Sequence, residues 1–162
     1  MRKKLLPALA ACLGLTSGAA YGLTTTTTFP VQMTITSSCV INSAGTLNFG
    51  SQGVLTSAVP ATSTIQVQCT NTTPYNIGLD AGTATGATVT TRKMTNAGNT
   101  ISYALYSNAG MTTNWGNTVG TDTVAATGNG AAQSYTVYGQ VPAQATPAPA
   151  TYTDTITITV TY

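Results

Sequence analysis

The chain contains no histidine and no glutamate, and its acidic residues are three aspartates. General acid–base catalysis and most transition-metal sites depend on imidazole, carboxylate or thiolate side chains. A serine or threonine nucleophile would still need a base to activate it. The composition therefore predicts that the protein is not an enzyme and holds no cofactor or metal ion. A calcium site at Asp80 is an alternative, although one carboxylate close to a glycine is more typical of a turn.

Charge is also scarce, because only 5% of the residues are charged. Three of the five cations, Arg2, Lys3 and Lys4, lie at the very start of the chain. The charges beyond them are two cations and three aspartates, a net of −1: Arg92, Lys93, Asp80, Asp122 and Asp154. Nucleic-acid binding requires many Lys and Arg contacts to phosphates, so we expect no nucleic-acid partner.

The first residues are typical of a secretory signal peptide. The basic start is followed by an apolar run from Leu5 to Leu15 and by small residues up to Ala20. The run is too short to span a bilayer. Cleavage after Ala20 or Gly22 predicts a signal peptide over residues 1–22, and 162 residues less these 22 leave 140, the size of one domain.

A lipidated N-terminus is the alternative to simple cleavage. The tetrapeptide ending at Cys12 resembles a bacterial lipobox, in which Cys12 would become the first mature residue. The apolar run continues past Cys12 to Leu15, which fits the middle of a signal peptide better than its end.

Short segments of alternating apolar residues recur after the signal peptide, and no useful window has a helical period. Gly, Asn, Ser and Pro fill the gaps between them, which is typical of an all-β sandwich. Residues 80–100 and 107–130 are expected to form loops or irregular edge strands, and residues 141–152 an extended connection. The alternating segments begin or centre on these residues: Cys39, Leu47, Ile65, Tyr75, Ile101, Tyr135 and Ile156.

Two cysteines, Cys39 and Cys69, remain once the signal peptide is removed. An even number of cysteines in an exported protein predicts one disulfide. Closing a loop of about 30 residues would stabilise the fold by roughly 3–4 kcal/mol on the chain-entropy model.

The segment "TTTTTFPVQMTITSSC" has the period of a half-buried strand, but no turn and second strand precede it. Its apolar positions are Phe29, Val31, Met33 and Ile35. The C-terminal segment alternates in the same way, at Ile156, Ile158, Val160 and Tyr162, and is expected to form a sheet edge open to another strand. We therefore expect the N-terminal strand of one chain to complete the sheet of the next, giving a heterologous contact that propagates.

Two points remain open in this hypothesis. By pattern alone, the favoured interpretation is that residues 29–35 are the first strand of the chain's own sandwich, as most N-terminal strands are. Pro30 cannot donate a main-chain hydrogen bond. Either pairing begins at Val31, or the nitrogen of Pro30 faces away from the pairing edge.

Several ordered segments resemble the spore coat protein U family, which includes subunits of archaic (Csu-type) chaperone–usher pili. They cover nearly all of the chain after the signal peptide: "FPVQMTITSSCVI", "GTLNFG", "ISYALYSN", "WGN", "YTVYGQVPA" and "YTDTITITVTY". The resemblance implies an incomplete immunoglobulin-like sandwich, completed by a donor strand from another chain. In similar pilins the donor positions end four residues before the first cysteine, which is where Ile35 lies relative to Cys39.

The resemblance also implies partners and a location. The expected partners are neighbouring pilin subunits, a periplasmic chaperone and an outer-membrane usher, and the expected destination is the surface of a Gram-negative bacterium. Surface attachment and biofilm formation would follow. The implied domains are a donor extension over residues 23–36 and a sandwich over residues 37–162.

A surface adhesin, a carbohydrate-binding module or a coat protein of the same fold is the alternative function. Three aromatic residues, Tyr103, Tyr106 and Trp115, could stack on a sugar. Packing in the core or at a sheet edge is the more usual role for such side chains.

Overall fold

A computed structural model describes residues 21–162. The predicted signal peptide, apart from its last two residues, and the lipobox cysteine Cys12 lie outside the described residues. The chain divides into two units, Met1–Thr34 and Ile35–Tyr162. Over the described range, no helix is long and apolar enough to cross a membrane.

The second unit consists of strands joined by turns and irregular segments. The strands found within residues 21–162 are β1 (Cys39–Ala44), β2 (Val59–Cys69), β3 (Pro74–Leu79), β4 (Arg92–Asn96), β5 (Asn99–Tyr106), β6 (Val124–Thr127), β7 (Ala132–Val141) and β8 (Ile158–Thr161). They form a five-stranded sheet in the order β1-β2-β7-β5-β4 and a three-stranded sheet in the order β6-β3-β8. Every pairing is antiparallel.

The core lies between the inner faces of these two sheets. Along β2 the side chains of Ile65, Val67 and Cys69 are buried, whereas the glutamines between them are only half-buried. This alternation is the one that marks the strands in the sequence. The prediction of an all-β, immunoglobulin-like sandwich is confirmed.

Cys39 and Cys69 form a disulfide with an S–S distance of 2.00 Å. The two residues lie directly opposite each other in the β1–β2 pair, at the end of β2. The predicted disulfide is confirmed, and it joins the first residue of β1 to the last residue of β2.

Residues 80–100 and 107–130, where the sequence shows no clear alternation, form short strands at sheet edges, as expected. These ranges contain β4 and β6, which are edge strands of the two sheets. The last strand is shorter than predicted, since β8 begins at Ile158 rather than Ile156. The backbone N–H of Thr157 donates to the side-chain Oδ1 of Asp80 instead of a backbone carbonyl, so the regular ladder ends there.

Residues 21–38 form no strand, although their alternation is that of a strand. The four apolar side chains in this stretch are exposed: Phe29 (81%), Val31 (87%), Met33 (84%) and Ile35 (73%). A β-ladder requires a partner for its backbone groups. The alternation therefore has no partner strand within the described part of the chain.

Candidate functional site

The outer edge of β8 carries backbone groups that have no strand to pair with among residues 21–162, since β8 pairs only with β3. The backbone N–H of Asp80 donates to the carbonyl of Thr157 at 3.1 Å. Bonded pairs alternate along an antiparallel ladder, so the residues of this strand that bond toward β3 are Thr157, Thr159 and Thr161. The residues between them direct their N–H and C=O groups to the opposite edge.

Those intervening residues are Ile156, Ile158 and Val160, three of the four positions predicted on this strand. Their side chains are half-buried against the core, and the threonines that alternate with them are exposed. The fourth predicted position, Tyr162, is 60% exposed and follows the end of β8. β8 thus combines an apolar inner face with an open hydrogen-bonding edge.

An open groove lies beside this edge. We define it as the space between residues 44–55 on one side and residues 146–158 on the other, which contains two cavities of about 490 and 790 Å³. Both cavities are lined by Leu47, Phe49, Met94 and Tyr152, so they are successive parts of one groove. The floor is built from inward-facing side chains of both sheets: Ile65, Leu79, Tyr103, Leu105, Val137 and Val141.

The segment "GTLNFG" forms one wall of the groove instead of the strand that its alternation suggested. Its apolar residues Leu47 and Phe49 are half-buried over Gly139 of β7. A Cβ at Gly139 would lie 2.8 Å from a methyl carbon of Leu47 and 3.0 Å from the ring of Phe49. A larger residue at this position would force both side chains to shift, which favours the glycine of "YGQ" in β7.

Substituting this glycine tests how the wall is held. We expect Gly139→Val to destabilise the fold by about 1–3 kcal/mol, the usual cost of overpacking a core. The measurement is the free energy of unfolding in urea. A Cβ at Gly53 would have no heavy atom within 4 Å, so Gly53→Val is the matched control and should change stability by less than about 0.5 kcal/mol. Equal effects of the two substitutions would contradict the close packing over Gly139.

Asp80 anchors the chain just before β8. Its Oδ1 accepts hydrogen bonds from the backbone N–H groups of Thr157, at 2.9 Å, and Gly82, at 3.0 Å. Burial alone would raise the pKa of this carboxyl, but these hydrogen bonds and the charge of Arg92 outweigh burial and lower the pKa. The carboxylate is therefore engaged in a turn. Residues 21–162 contain no group of three or more potential metal-ligating His, Cys, Asp or Glu side chains.

Asp154 is the second carboxylate that fixes the residues just before β8. It accepts hydrogen bonds from the Tyr103 hydroxyl at 2.7 Å and from the backbone N–H of Thr83 at 2.9 Å. Burial and the bond to Asp154 raise the pKa of Tyr103, which keeps the phenol protonated. The start of β8 is thus fixed by two carboxylates.

Arg92, the first residue of β4, is fully buried behind these carboxylates. Its guanidinium donates to four backbone carbonyls, those of Leu79, Asp80, Val89 and Trp115, at 2.6–2.9 Å. Burial lowers the pKa of the guanidinium. An arginine is suited to this position because its fork of five N–H donors can reach several acceptors at once.

The aromatic residues considered for sugar binding are mostly inside the fold. Trp115 is 1% exposed and donates its indole N–H to the carbonyl of Ile77, and Tyr103 is 5% exposed. Tyr106 is half-buried. The two buried rings therefore have the core-packing role, and neither presents a face for stacking on a sugar.

The sequence pattern locates β8 and the exposed alternating segment but misses the rest of the groove. The missed residues are the wall at Leu47 and Phe49, the Tyr103–Asp154 bond and the buried Arg92. The sequence does give a signal for Arg92, because an arginine is unusual in a chain with so little charge. The aspartate of "YTDTITITVTY" belongs to the family resemblance, but the pattern alone gives it no role.

The fold is similar to that of a chain in a solved structure. One solved chain is similar over 80% of this chain, with a TM-score of 0.58 and 25% identity. It belongs to the crystal structure of the CsuC–CsuE chaperone–tip adhesion subunit pre-assembly complex from archaic chaperone–usher Csu pili of Acinetobacter baumannii. The present chain spans 40% of the length of that one. A search of curated proteins found no significant match.

The family model of the Spore Coat Protein U domain matches residues 25–159. The match covers every strand from β1 to β7, the first part of β8 and the exposed alternating segment. The resemblance inferred from the ordered segments is confirmed, and the chain belongs to the Spore Coat Protein U domain family.

Proposed function

We propose that the protein is a structural subunit of an archaic chaperone–usher pilus, and that the apolar segment of one chain fills the open groove of the next. The observation that carries the proposal is the open edge of β8, where backbone groups and an apolar groove lie side by side. Residues 29–35 have the matching properties, an alternating row of exposed apolar side chains and an unpaired backbone.

The energetics favour a long-lived contact. Burying a large apolar side chain contributes about 1.5–3 kcal/mol, so four of them give roughly 6–12 kcal/mol as an upper bound before ordering costs. Main-chain hydrogen bonds to Ile156, Ile158 and Val160 would add to this. Donor and acceptor are different surfaces, so the contact leaves each new chain with one of each and extends into a fibre.

The geometry of β8 also assigns a role to Pro30. In an antiparallel pair, residues that lie opposite each other share a face, and bonded pairs recur at every second residue. A donor residue opposite Ile158, with its side chain in the groove, therefore directs its N–H and C=O at β8. Val31 and Met33 would bond in this way, and the nitrogen of Pro30 would point away.

A parallel donor would place Pro30 differently. In parallel pairs the bonds run to the residues that flank the opposite one, so the donor residues whose side chains face outward would bond to β8. Pro30 is one of these, and it has no N–H to give. An antiparallel donor therefore accommodates Pro30, and pairing can begin at Phe29.

Partners and location follow from the same proposal. A periplasmic chaperone would occupy the groove before assembly, an outer-membrane usher would receive the subunit, and the assembled pilus would lie at the cell surface. Family membership and the similarity to a chain from a chaperone–subunit complex support these partners. Surface attachment and biofilm formation are the expected biological outcomes.

Deletion of Thr24–Thr36 tests the proposal. The shortened chain keeps every strand of the sandwich, so we expect it to fold but not to polymerise with itself, as measured by sedimentation and electron microscopy. Binding of the chaperone should persist, because the groove is intact. Deletion of Thr24–Thr28 alone removes no apolar donor residue and should leave polymerisation unchanged. Fibres formed by the Thr24–Thr36 deletion alone would contradict the proposal.

A further inference from the structure

Three side chains form a continuous link across the groove. The ring of Phe49, in one wall, meets the ring of Tyr103 edge to face, with centroids 6.1 Å apart. The hydroxyl of Tyr103 then donates to Asp154, in the opposite wall, at 2.7 Å. All three residues line the 490 Å³ cavity, and Tyr103 lies in its floor.

The Asp154 end of this link is held firmly. Besides Tyr103, its carboxylate accepts hydrogen bonds from the backbone N–H and the hydroxyl of Thr83, both at 2.9 Å, and from the N–H of Thr155 at 2.8 Å. The backbone of Gly82 packs so closely on the carboxylate that a Cβ there would collide with it. Asp154 therefore cannot yield to a side chain that presses on Tyr103.

The Phe49 end is held by packing. The ring of Phe49 packs over Gly139 together with Leu47. Tyr103 is 5% exposed and lines this cavity, so an inserted side chain would meet it there. Tyr103 is thus contacted at one end by Phe49 and at the other by Asp154.

We propose that Tyr103 is the specificity-determining residue of the groove, which selects the size of the donor side chain at one position. This inference rests on the proposed donor function. Donor side chains on one face of a strand are about 6.6–6.8 Å apart, so one aromatic ring can lie beneath only one of them. The side chains at the other three positions meet the aliphatic floor, where neighbouring rotamers can adjust.

A peptide-binding experiment tests the inference on the full exported chain. Val31→Ser and Met33→Ser in the acceptor disable its own donor, and fluorescent peptides of residues 24–36 supply the donor. Each peptide carries alanine or tryptophan at one of the four apolar positions, and dissociation constants are measured by fluorescence polarisation. The quantity compared is the preference for alanine over tryptophan at each position.

The expected result is confined to one donor position. With Tyr103→Ala in the acceptor, the preference there should shift toward tryptophan by about 5- to 140-fold, since relief of overpacking of about 1–3 kcal/mol corresponds to that range. The other three positions should shift by less than about 2-fold. Tyr103→Phe keeps the ring but loses the bond to Asp154, and it should give a smaller shift at the same position.

The control is a second buried tyrosine that does not line the groove. Tyr75 is 1% exposed and bonds to Tyr135 and Gln133, so Tyr75→Phe should change no preference. If Tyr103→Ala does not fold, the shift in preference measured with Tyr103→Phe is the test of the inference. The acceptor variants must first bind the parent peptide. If the preference then shifts equally at all four positions, or at none, this inference is overturned and the proposed function is not. Failure of the parent peptide to bind the parent acceptor would overturn the proposed function and this inference with it.

Discussion

Replacing Val31 and Met33 together by aspartate is expected to abolish fibre formation. Both side chains are more than 80% exposed in the single chain, so the substitutions cost the monomer almost nothing. In the proposed contact both would enter an apolar groove, where an unpaired carboxylate is strongly disfavoured. The loss of apolar burial alone is about 3–6 kcal/mol, which corresponds to a roughly 10²–10⁴-fold weaker contact before the charges are counted.

A matched control uses the polar residues that alternate with the apolar donor positions. Gln32 and Thr34 alternate with the apolar positions and would face outward, so Gln32→Asp and Thr34→Asp add the same two charges on the other face. We expect this pair to assemble, with at most a modest change in rate. Sedimentation of the purified chains measures both outcomes. Equal assembly of the two double variants would contradict the assignment of an inward face.

The second large effect is expected at Arg92. Its replacement by methionine removes four hydrogen bonds and leaves the carbonyls of Leu79, Asp80 and Trp115 among the unsatisfied acceptors. The bonds to Leu79 and Trp115 are buried, and each unsatisfied buried group costs about 1–3 kcal/mol, so the free energy of unfolding should fall by about 2–6 kcal/mol. That is a large part of the roughly 5–15 kcal/mol typical of a domain, and much of the chain would unfold.

The neighbouring cation provides the comparison for Arg92. Lys93 is only half-buried, and Lys93→Met should change stability by less than about 0.5 kcal/mol. Arg92→Lys should recover little, because an ammonium group cannot supply the same planar set of donors. Urea unfolding of the three variants gives the result. An Arg92→Met chain as stable as the Lys93→Met chain would show that the buried network does not hold the fold.

The sandwich could be predicted because its strands are marked by a local pattern. Ile65, Val67 and Cys69 alternate with glutamines, and this period is sufficient to place β2 and its buried face. The disulfide followed from a count of cysteines. The family resemblance depended on the order of several such segments, which is also a property of the linear sequence.

The groove could not be predicted in the same detail because it depends on contacts between distant residues. Phe49, Tyr103 and Asp154 meet only after three separate segments have folded, and no local period marks them. The same holds for Gly139, whose close contact with Leu47 appears only in the folded chain. The exposed row at residues 29–35 is a different case, since the alternation is visible in the sequence but no strand within residues 21–162 pairs with it.

Hydrogen exchange at individual amides of β8 tests the central claim most directly. The reference is the Val31→Asp, Met33→Asp chain, which should remain a monomer. In the monomer we expect Thr159 and Thr161, which bond to β3, to be protected, and Ile158 and Val160 to exchange rapidly. In assembled fibres of the parent chain, Ile158 and Val160 should become protected together with the amides of Val31 and Met33. Assembled fibres in which Ile158 and Val160 still exchange as in the monomer would contradict the claim that a donor strand pairs with β8.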